Sequence, residues 1–168
     1  IMDNTNLTSL DLPGNQLLGD PLNKDFNGMR ALAQAIPLAQ NLAVVDVSSN
    51  GLGPKGTGLL ASAVKFSTSM TFLNLADNAL CGLTVMNKGR YDERTEGTYD
   101  STGIKAIAEA LNVNSSMTKL NIWDNNIGVE GATAIVNAAS AQMRTLCGDM
   151  FEEGQTEADL RGKKLGPE

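Results

Sequence analysis

The residues that most often carry acid–base, nucleophilic or metal chemistry are scarce in this chain. Its 168 residues include no histidine and two cysteines, which excludes a Ser-His-Asp or Cys-His triad and a histidine-rich zinc site. Cys81 and Cys147 each follow a leucine, and we expect them to be small buried apolar side chains rather than nucleophiles. They lie 66 residues apart, and we do not expect a disulfide between them.

One phosphate-binding pattern occurs literally. The segment Gly51-Leu-Gly53-Pro-Lys-Gly56 matches GxGxxG, in which a glycine-rich turn brings backbone N–H groups to a dinucleotide pyrophosphate. Pro54 removes one of those N–H groups, and no acidic residue stands about 20 positions on, at the end of the next predicted strand, in the setting that ribose binding requires. The same glycine spacing recurs at Gly128 and Gly131, which indicates a repeat rather than a nucleotide site. We therefore expect no cofactor.

Acidic residues outnumber basic ones by 19 to 13, for a net charge of −6. Nucleic acids and anionic membrane surfaces favour a basic face, so we expect neither as a partner. Four carboxylates could contact calcium, but their spacing fits no EF-hand loop, and solvated charge is the favoured interpretation: Asp92, Glu93, Glu96 and Asp100. We predict no metal site.

The compartment is inferred from what the chain lacks. No basic segment followed by an apolar run precedes Leu7, so we expect no signal peptide. No apolar run approaches the roughly 18 residues of a membrane span. Two thiols without a secretory segment indicate a reducing compartment. We expect a cytoplasmic protein.

The elements that would position any functional residue come from an internal repeat. The frame LxxLxLxxNxL begins at Leu7 and returns at Leu42, Met70 and Met117, with a degraded fifth copy over 158–165. After each complete copy, a glycine opens an alanine-rich segment, at Gly28, Gly56, Gly103 and Gly131. Two of the three steps between these glycines are 28 residues, so 28 is the base period and the longer step contains an insertion.

Each frame predicts one element. The alternation LxL is typical of a short strand with its leucines on one face. The asparagine ends the strand, and its amide can satisfy backbone groups of the turn, so stacked copies would form an asparagine ladder. The alanine-rich segment has one apolar and one polar face, as a surface helix does. We predict strands near 8–12, 43–47, 71–75, 118–122 and 157–160, and helices near 28–39, 56–66, 102–112 and 130–140.

These motifs resemble the leucine-rich repeat family, in the 28-residue ribonuclease-inhibitor-like class of NOD-like receptors and Ran GTPase-activating proteins. The resemblance covers roughly Leu7 to Leu165. It implies an α/β solenoid with a parallel β-sheet on the concave face and α-helices on the convex face. It also implies protein–protein binding without catalysis. We expect residues 1–168 to be a single domain of about four and a half repeats, from a longer array.

Two insertions depart from the repeat, at about 18–27 and 81–102, both between a strand and the next helix. The larger contains the only tyrosines, Tyr91 and Tyr99. It is either a solvated loop folded back on its own repeat or a binding loop, since loops on rigid scaffolds often carry recognition. A structureless loop of this length would be unusual in a compact domain, so we expect it to pack locally through its tyrosines.

The outward positions of the strands are the candidate binding surface. Residues on either side of the inward leucines point out of the concave face. As partner-binding candidates this selects Asp11, Asp46, Phe72, Asn74, Lys119, Asn121, Trp123, Asp159 and Arg161. Phe72 and Trp123 are either anchors for a partner, since tryptophan is enriched in binding hot spots, or side chains that rest against their neighbours.

Two functional classes remain open. The first is an interaction module, in which aromatic anchors supply affinity and the acidic positions supply orientation. The second is a structural subunit or spacer in a large assembly, and a GTPase-activating or other regulatory protein is a remote third. The last repeat lacks its helix, so its apolar face is uncapped. End-to-end self-association through that C-terminal repeat is a further prediction.

Overall fold

The computed structural model describes residues 4, 6–18, 24–139 and 145–146. Within them, short strands alternate with helices, as the two recurring frames predict. The strands are Ser9–Asp11 (β1), Val44–Asp46 (β2), Phe72–Asn74 (β3), Leu83–Met86 (β4), Arg94–Gly97 (β5), Lys119–Asn121 (β6) and Thr145–Leu146 (β7). The helices are Asn27–Ala35 (α1), Gly53–Phe66 (α2), Thr102–Val113 (α3) and Gly128–Ala138 (α4), and a single 3-10 turn, Ile36–Leu38, extends α1.

Five strands form one parallel sheet in the order β1-β2-β3-β6-β7. The register aligns Leu10, Val45, Leu73 and Leu120 in one row, at the centre of each strand. That row faces the helices, and its three inner members are buried. The predicted parallel pairing of the first four strands is confirmed, and the repeat frame predicted their centres.

The strand beside β6 is not the one that the sequence analysis predicted. β7 pairs in parallel with Lys119–Leu120, in the position that we assigned to 157–160. The segment Met143-Arg-Thr-Leu146 contains the first half of the frame. Residues 157–160 lie outside the described residues.

The helices pack side by side on one face of the sheet, and each turns a large aliphatic residue inward, such as Leu60 of α2, Ile107 of α3 and Ile135 of α4. α2 and α4 begin at Gly53 and Gly128, three residues before the predicted glycines. In α2 this early start is compatible with Pro54, since a proline in the first helical turn lacks only an N–H that would have no helical partner. No helix of the described part of the chain has the length and apolar character to cross a membrane.

The predicted asparagine ladder is present at the end of the strands. Asn78 donates through its side-chain amide to the carbonyls of Leu75, Ala76 and, in the preceding repeat, Val47. Its Oδ1 accepts the backbone N–H of Asn50, the preceding ladder residue, at 3.0 Å. Asn50 and Asn125 repeat this arrangement, and all three asparagines are buried. The ladder therefore satisfies the turn carbonyls that a solenoid would otherwise bury without partners.

Candidate functional site

The face of the sheet opposite the helices carries the predicted concave positions, in three rows across β1, β2, β3 and β6. We call it the helix-free face. The first row is Ser9, Val44, Phe72 and Lys119; the second is Asp11, Asp46, Asn74 and Asn121; the third is Pro13, Ser48, Ala76 and Trp123. Asp11, Lys119 and Trp123 are exposed, and Asp46, Phe72, Asn74 and Asn121 are half-buried. Asp159 and Arg161 lie outside the described residues.

Most of the second row forms turns at the strand ends. The Asp46 carboxylate accepts the N–H of Ser48 at 2.8 Å and its hydroxyl at 2.7 Å. Its second oxygen accepts the Asn74 side-chain amide at 2.7 Å. Asn121 likewise accepts the N–H of Trp123 at 3.0 Å. These side chains stabilise the turns at the strand ends. Their polar atoms already have hydrogen-bond partners within the protein. Asp11 and Lys119 have no such bond among the described residues.

Of the two predicted anchors, Phe72 begins β3 and Trp123 lies in the turn after β6, towards the opposite end of the face. Phe72 is directly across from Lys119 in the register, and Trp123 follows four residues after Lys119. At about 3.3 Å per residue of extended chain, four residues span at most about 13 Å. The Trp123 side chain is 36% exposed, so about two thirds of it is covered by neighbours. The face therefore offers two separated aromatic contacts rather than one continuous patch.

The larger insertion is a β-hairpin, which the sequence analysis did not predict. Its strands, β4 and β5, pair antiparallel, from Leu83 opposite Gly97 to Met86 opposite Arg94. The four carboxylates considered for calcium have local partners in and next to this hairpin, such as the N–H of Gly89 for Glu93. Within the described residues, no group of three or more potential ligands is placed to hold a metal ion.

The two tyrosines of the insertion differ in role. The Tyr99 hydroxyl donates to the Ile127 carbonyl at 2.8 Å, and its ring lies against Gly128, so it attaches the base of the hairpin to the next repeat. Tyr91 lies near the tip and is 99% exposed. The expectation that the tyrosines pack locally is therefore right for Tyr99 and wrong for Tyr91, because the hairpin ladder already orders the tip without it.

A salt bridge joins the hairpin to the helix-free face. Lys88 binds the Asp124 carboxylate at 2.6 Å, and Asp124 directly follows Trp123. The hydrogen bond to Asp124 raises the pKa of the Lys88 ammonium. Between the hairpin and the strand-end turns lies a cleft of about 190 Å³, lined among others by Asp77, Lys88, Glu93 and Asp124. This is below the roughly 300 Å³ of the smallest usual small-molecule sites and suits a single side chain of a partner.

Two sequence motifs have structural roles. In the GxGxxG segment, the Gly53 N–H donates to the Asn78 carbonyl and the Gly56 N–H to the Leu52 carbonyl, so neither N–H is available to a phosphate. Cys81 is a buried free thiol, as predicted. Burial raises its pKa to about 11, which keeps the thiol protonated and unreactive at neutral pH. Cys147 lies outside the described residues.

The sequence analysis missed one surface feature. Leu38, Phe66 and Val113 occupy the same repeat position, ten residues after the glycines of the first three helices. Each is about 60% exposed (58%, 63% and 63%), which forms a row of apolar side chains where the helices end. The sequence could have revealed this row, because the same repeat position is apolar in three successive copies although it lies outside the set of positions that face the core.

The ends of the smaller insertion belong to the repeat framework. Leu18 is 2% exposed and packs in the core, and Asn27 begins α1. Residues 19–23 lie outside the described part of the chain. Lys24, near the end of this insertion, donates to the Gly51 carbonyl at 2.7 Å, which ties it to the neighbouring repeat.

Comparisons with known proteins agree with this architecture. The family profile "Leucine Rich repeat" matches residues 3–21 and 113–136. A solved structure of leiomodin-1 actin-binding site 2 superposes with a TM-score of 0.62 at 14% identity, over 85% of this chain and 70% of that one. The tropomodulin C-terminal domain of Caenorhabditis elegans also gives a TM-score of 0.62, at 9% identity, over 92% of this chain and 78% of that one.

Proposed function

Because the chain has a leucine-rich repeat fold, we propose that it is a protein–protein interaction module that docks a partner without catalysing a reaction. Its binding surface would run from the third row of the helix-free face onto the β4–β5 hairpin. The observation that carries this proposal is the Lys88–Asp124 salt bridge, which holds the hairpin beside Trp123. The two candidate surfaces of the sequence analysis, the strand face and the insertion, would then act as one.

The chemistry of this surface supports a protein partner. Trp123 and Tyr91 are aromatic side chains of the types enriched at binding hot spots, and they present apolar area at a low cost in conformational entropy. The cleft between the hairpin and the strand-end turns is lined by three carboxylates, Asp77, Glu93 and Asp124, against the single cation Lys88. Such a lining orients a partner by its charge more than it adds affinity.

The finer assignments are also proposals. The 28-residue step between Gly28 and Gly56, and again between Gly103 and Gly131, supports the ribonuclease-inhibitor-like class. The buried, unpaired thiol of Cys81 supports a cytoplasmic location. The end-to-end association predicted for the C-terminal repeat concerns residues 158–165, which lie outside the described residues.

The test is an affinity capture with matched variants. The wild-type chain, Trp123→Ala and Tyr91→Ala are immobilised, and the proteins retained from a cell extract are quantified. The control is Val129→Ala, which removes an apolar side chain, 80% exposed, from the helix layer. Purified actin is included as a defined probe, because one structural neighbour is an actin-binding site.

A partner docked at this surface is retained by the wild type and Val129→Ala. We expect Trp123→Ala to weaken its binding by about 2 kcal/mol, with the melting midpoint nearly unchanged. If Trp123→Ala lowers stability but binds normally once folded, Trp123 braces the sheet and the anchor proposal is wrong. Capture of a large complex that neither aromatic variant affects would favour the structural spacer.

A further inference from the structure

One wall of the cleft beside the hairpin is largely apolar. In the hairpin ladder, Val85 is opposite Thr95 and Leu83 is opposite Gly97, and residues directly opposite each other lie on the same face of the ladder. Leu83, Val85 and Thr95 all line the cleft, so this face of the hairpin forms the wall. Leu83 and Val85 are half-buried. The wall therefore offers apolar surface to a side chain that enters the cleft.

The rest of the lining carries an excess of negative charge. Asp77 and Asp124 come from the turns after β3 and β6, and Lys88 and Glu93 come from the connection between β4 and β5. Three carboxylates and one ammonium give this lining a net charge of −2. The hydrogen bond to Asp124 raises the pKa of Lys88, and the charges of Asp77 and Glu93 raise it further. The cleft thus already holds one cation of the chain itself, and that cation balances only part of the charge.

Each of the three carboxylates has one oxygen left for another donor. Asp124 uses Oδ2 for Lys88, and Glu93 uses Oε2 for a backbone N–H of the hairpin. Asp77 uses Oδ2 for the Ser49 hydroxyl at 3.0 Å. The second oxygen of each has no hydrogen-bond partner in the described part of the chain. Since no three potential ligands among those residues are placed to hold a metal ion, these oxygens suit a cation whose donors are spread out rather than a point charge.

We propose that this cleft binds an arginine side chain of the partner protein, with its aliphatic stem against the hairpin wall and its guanidinium among the carboxylates. A guanidinium presents five N–H donors in a planar fork, whereas a lysine ammonium is a compact point charge. The stem of an arginine packs on apolar surface while its charged head keeps polar partners. At about 190 Å³ the cleft has room for one such side chain.

This inference rests on the proposed docking function and adds the chemistry of the partner to it. Asp124 directly follows Trp123, so an arginine in the cleft would be next to the aromatic contact of the helix-free face. The partner would then be a protein whose docking surface combines an apolar contact with a basic residue. The net charge of the chain, −6, favours the approach of such a basic surface.

The experiment is an NMR titration of the full ¹⁵N-labelled chain with short peptides. The probe is acetyl-Gly-Arg-Gly-amide, and its matched control contains citrulline, which has the shape of arginine without the charge. We expect the arginine peptide to shift the backbone amide signals of the hairpin and of the two turns, with a dissociation constant in the millimolar range. The citrulline peptide should bind at least about fivefold more weakly. A lysine peptide should also bind more weakly than the arginine peptide.

Two variants test the carboxylates. Glu93→Gln and Asp77→Asn each remove one charge and keep a side-chain oxygen that can accept the present hydrogen bond. Each should weaken binding of the arginine peptide about threefold to fivefold. Asp77→Asn keeps the proposal testable if Glu93→Gln alters the hairpin. Glu109→Gln is the matched control, because it removes the same charge from an exposed position of α3 and should bind like the wild type.

Three results would overturn the proposal. They are the absence of shifts around the cleft with the arginine peptide, equal binding of the arginine peptide and either the citrulline or the lysine peptide, and an equal loss of binding in Glu109→Gln. If no arginine peptide binds while a partner is still captured through Trp123, the docking function stands and the arginine site is wrong. If the cleft binds arginine but the chain captures no partner, the arginine site stands and the docking function is wrong.

Discussion

At the scale of single residues, the ladder asparagines and Cys81 are polar or ionisable groups whose environment determines their contribution. An asparagine side chain has two donors and two acceptor positions. Asn78 uses its Nδ2 for three carbonyls and its Oδ1 for the N–H groups of Asn50 and Leu52. It is completely buried. Removal of one such side chain leaves several groups in the interior without partners.

We therefore expect Asn78→Ala to reduce the free energy of unfolding by about 1–3 kcal/mol, the cost of leaving buried polar groups unsatisfied. Asn15→Ala is the matched control, because Asn15 holds the same repeat position but is exposed, and it should change stability by less than about 0.5 kcal/mol. Urea melts of both variants provide the measurement. Equal midpoints for the two would show that the ladder does not stabilise the fold.

Cys81 predicts a dependence of stability on alkaline pH. Its thiol pKa is raised from 9.0 to about 11 by burial, so above pH 9 the unfolded chain loses this proton while the folded chain retains it. The free energy of unfolding is therefore unaffected by this group below pH 9. It falls by about 2 kcal/mol as the pH rises from 9 towards 11. The free energy of unfolding of the wild type should therefore fall relative to that of Cys81→Ala over this interval, because the alanine variant has no thiol to ionise. A difference that stays constant from pH 8 to pH 11 contradicts the burial argument.

At the scale of elements, the helix glycines determine how closely neighbouring repeats can approach. A Cβ at Gly103 of α3 would collide with the backbone carbonyl of Pro54 in α2, and a Cβ at Gly131 of α4 would lie 3.0 Å from the Ile104 side chain. Glycine recurs at this repeat position because a side chain there would force the helices apart. Gly58 of α2 has no neighbour within 4 Å and lacks this role.

A pair of alanine substitutions separates the two kinds of glycine. Gly103→Ala should destabilise the protein by about 1–3 kcal/mol, since the backbone of α2 must move to admit the methyl group. Gly58→Ala should stabilise it by about 0.5–1 kcal/mol, because alanine is the better helix former in an open position. Thermal melts test both. If Gly103→Ala leaves the midpoint unchanged or raises it, helix packing does not depend on the glycine at 103.

At the scale of the whole molecule, the core is continuous from repeat to repeat. Leu73 of β3 lies between Val45 and Leu120 in the sheet and is 1% exposed. Because each repeat is buried against its neighbours, a substitution that destabilises one repeat should also destabilise the next.

Leu73→Ala should cost about 2–5 kcal/mol, as for other buried leucines. The single tryptophan, Trp123, lies in the adjacent repeat and reports on unfolding there. Its fluorescence and the circular dichroism of the helices should give coincident urea transitions, both shifted by the substitution. A tryptophan transition that keeps the wild-type midpoint would mean that the repeats unfold independently.

The sequence alone determined the repeat, the centres of four strands, the helix positions and the ladder. Each of these follows from a pattern that is local and repeated, so that every copy imposes the same backbone on its own segment. It also identified Cys81 as buried and the glycine-rich segment as structural. The fifth strand was predicted too late in the chain, because the copy that begins at Met143 has Gly148 in place of the next leucine and Phe151 in place of the asparagine.

Only the tertiary structure decided how the candidate surface is assembled. The Lys88–Asp124 bridge joins residues 36 positions apart, and nothing periodic predicts where an insertion folds. The engagement of Asp46 with Ser48 and Asn74 likewise depends on the distance between neighbouring strands. The same holds for the different fates of Tyr91 and Tyr99. Repetition determines what each repeat does alone, whereas contacts made once in the molecule, between unlike segments, depend on the geometry of the complete fold.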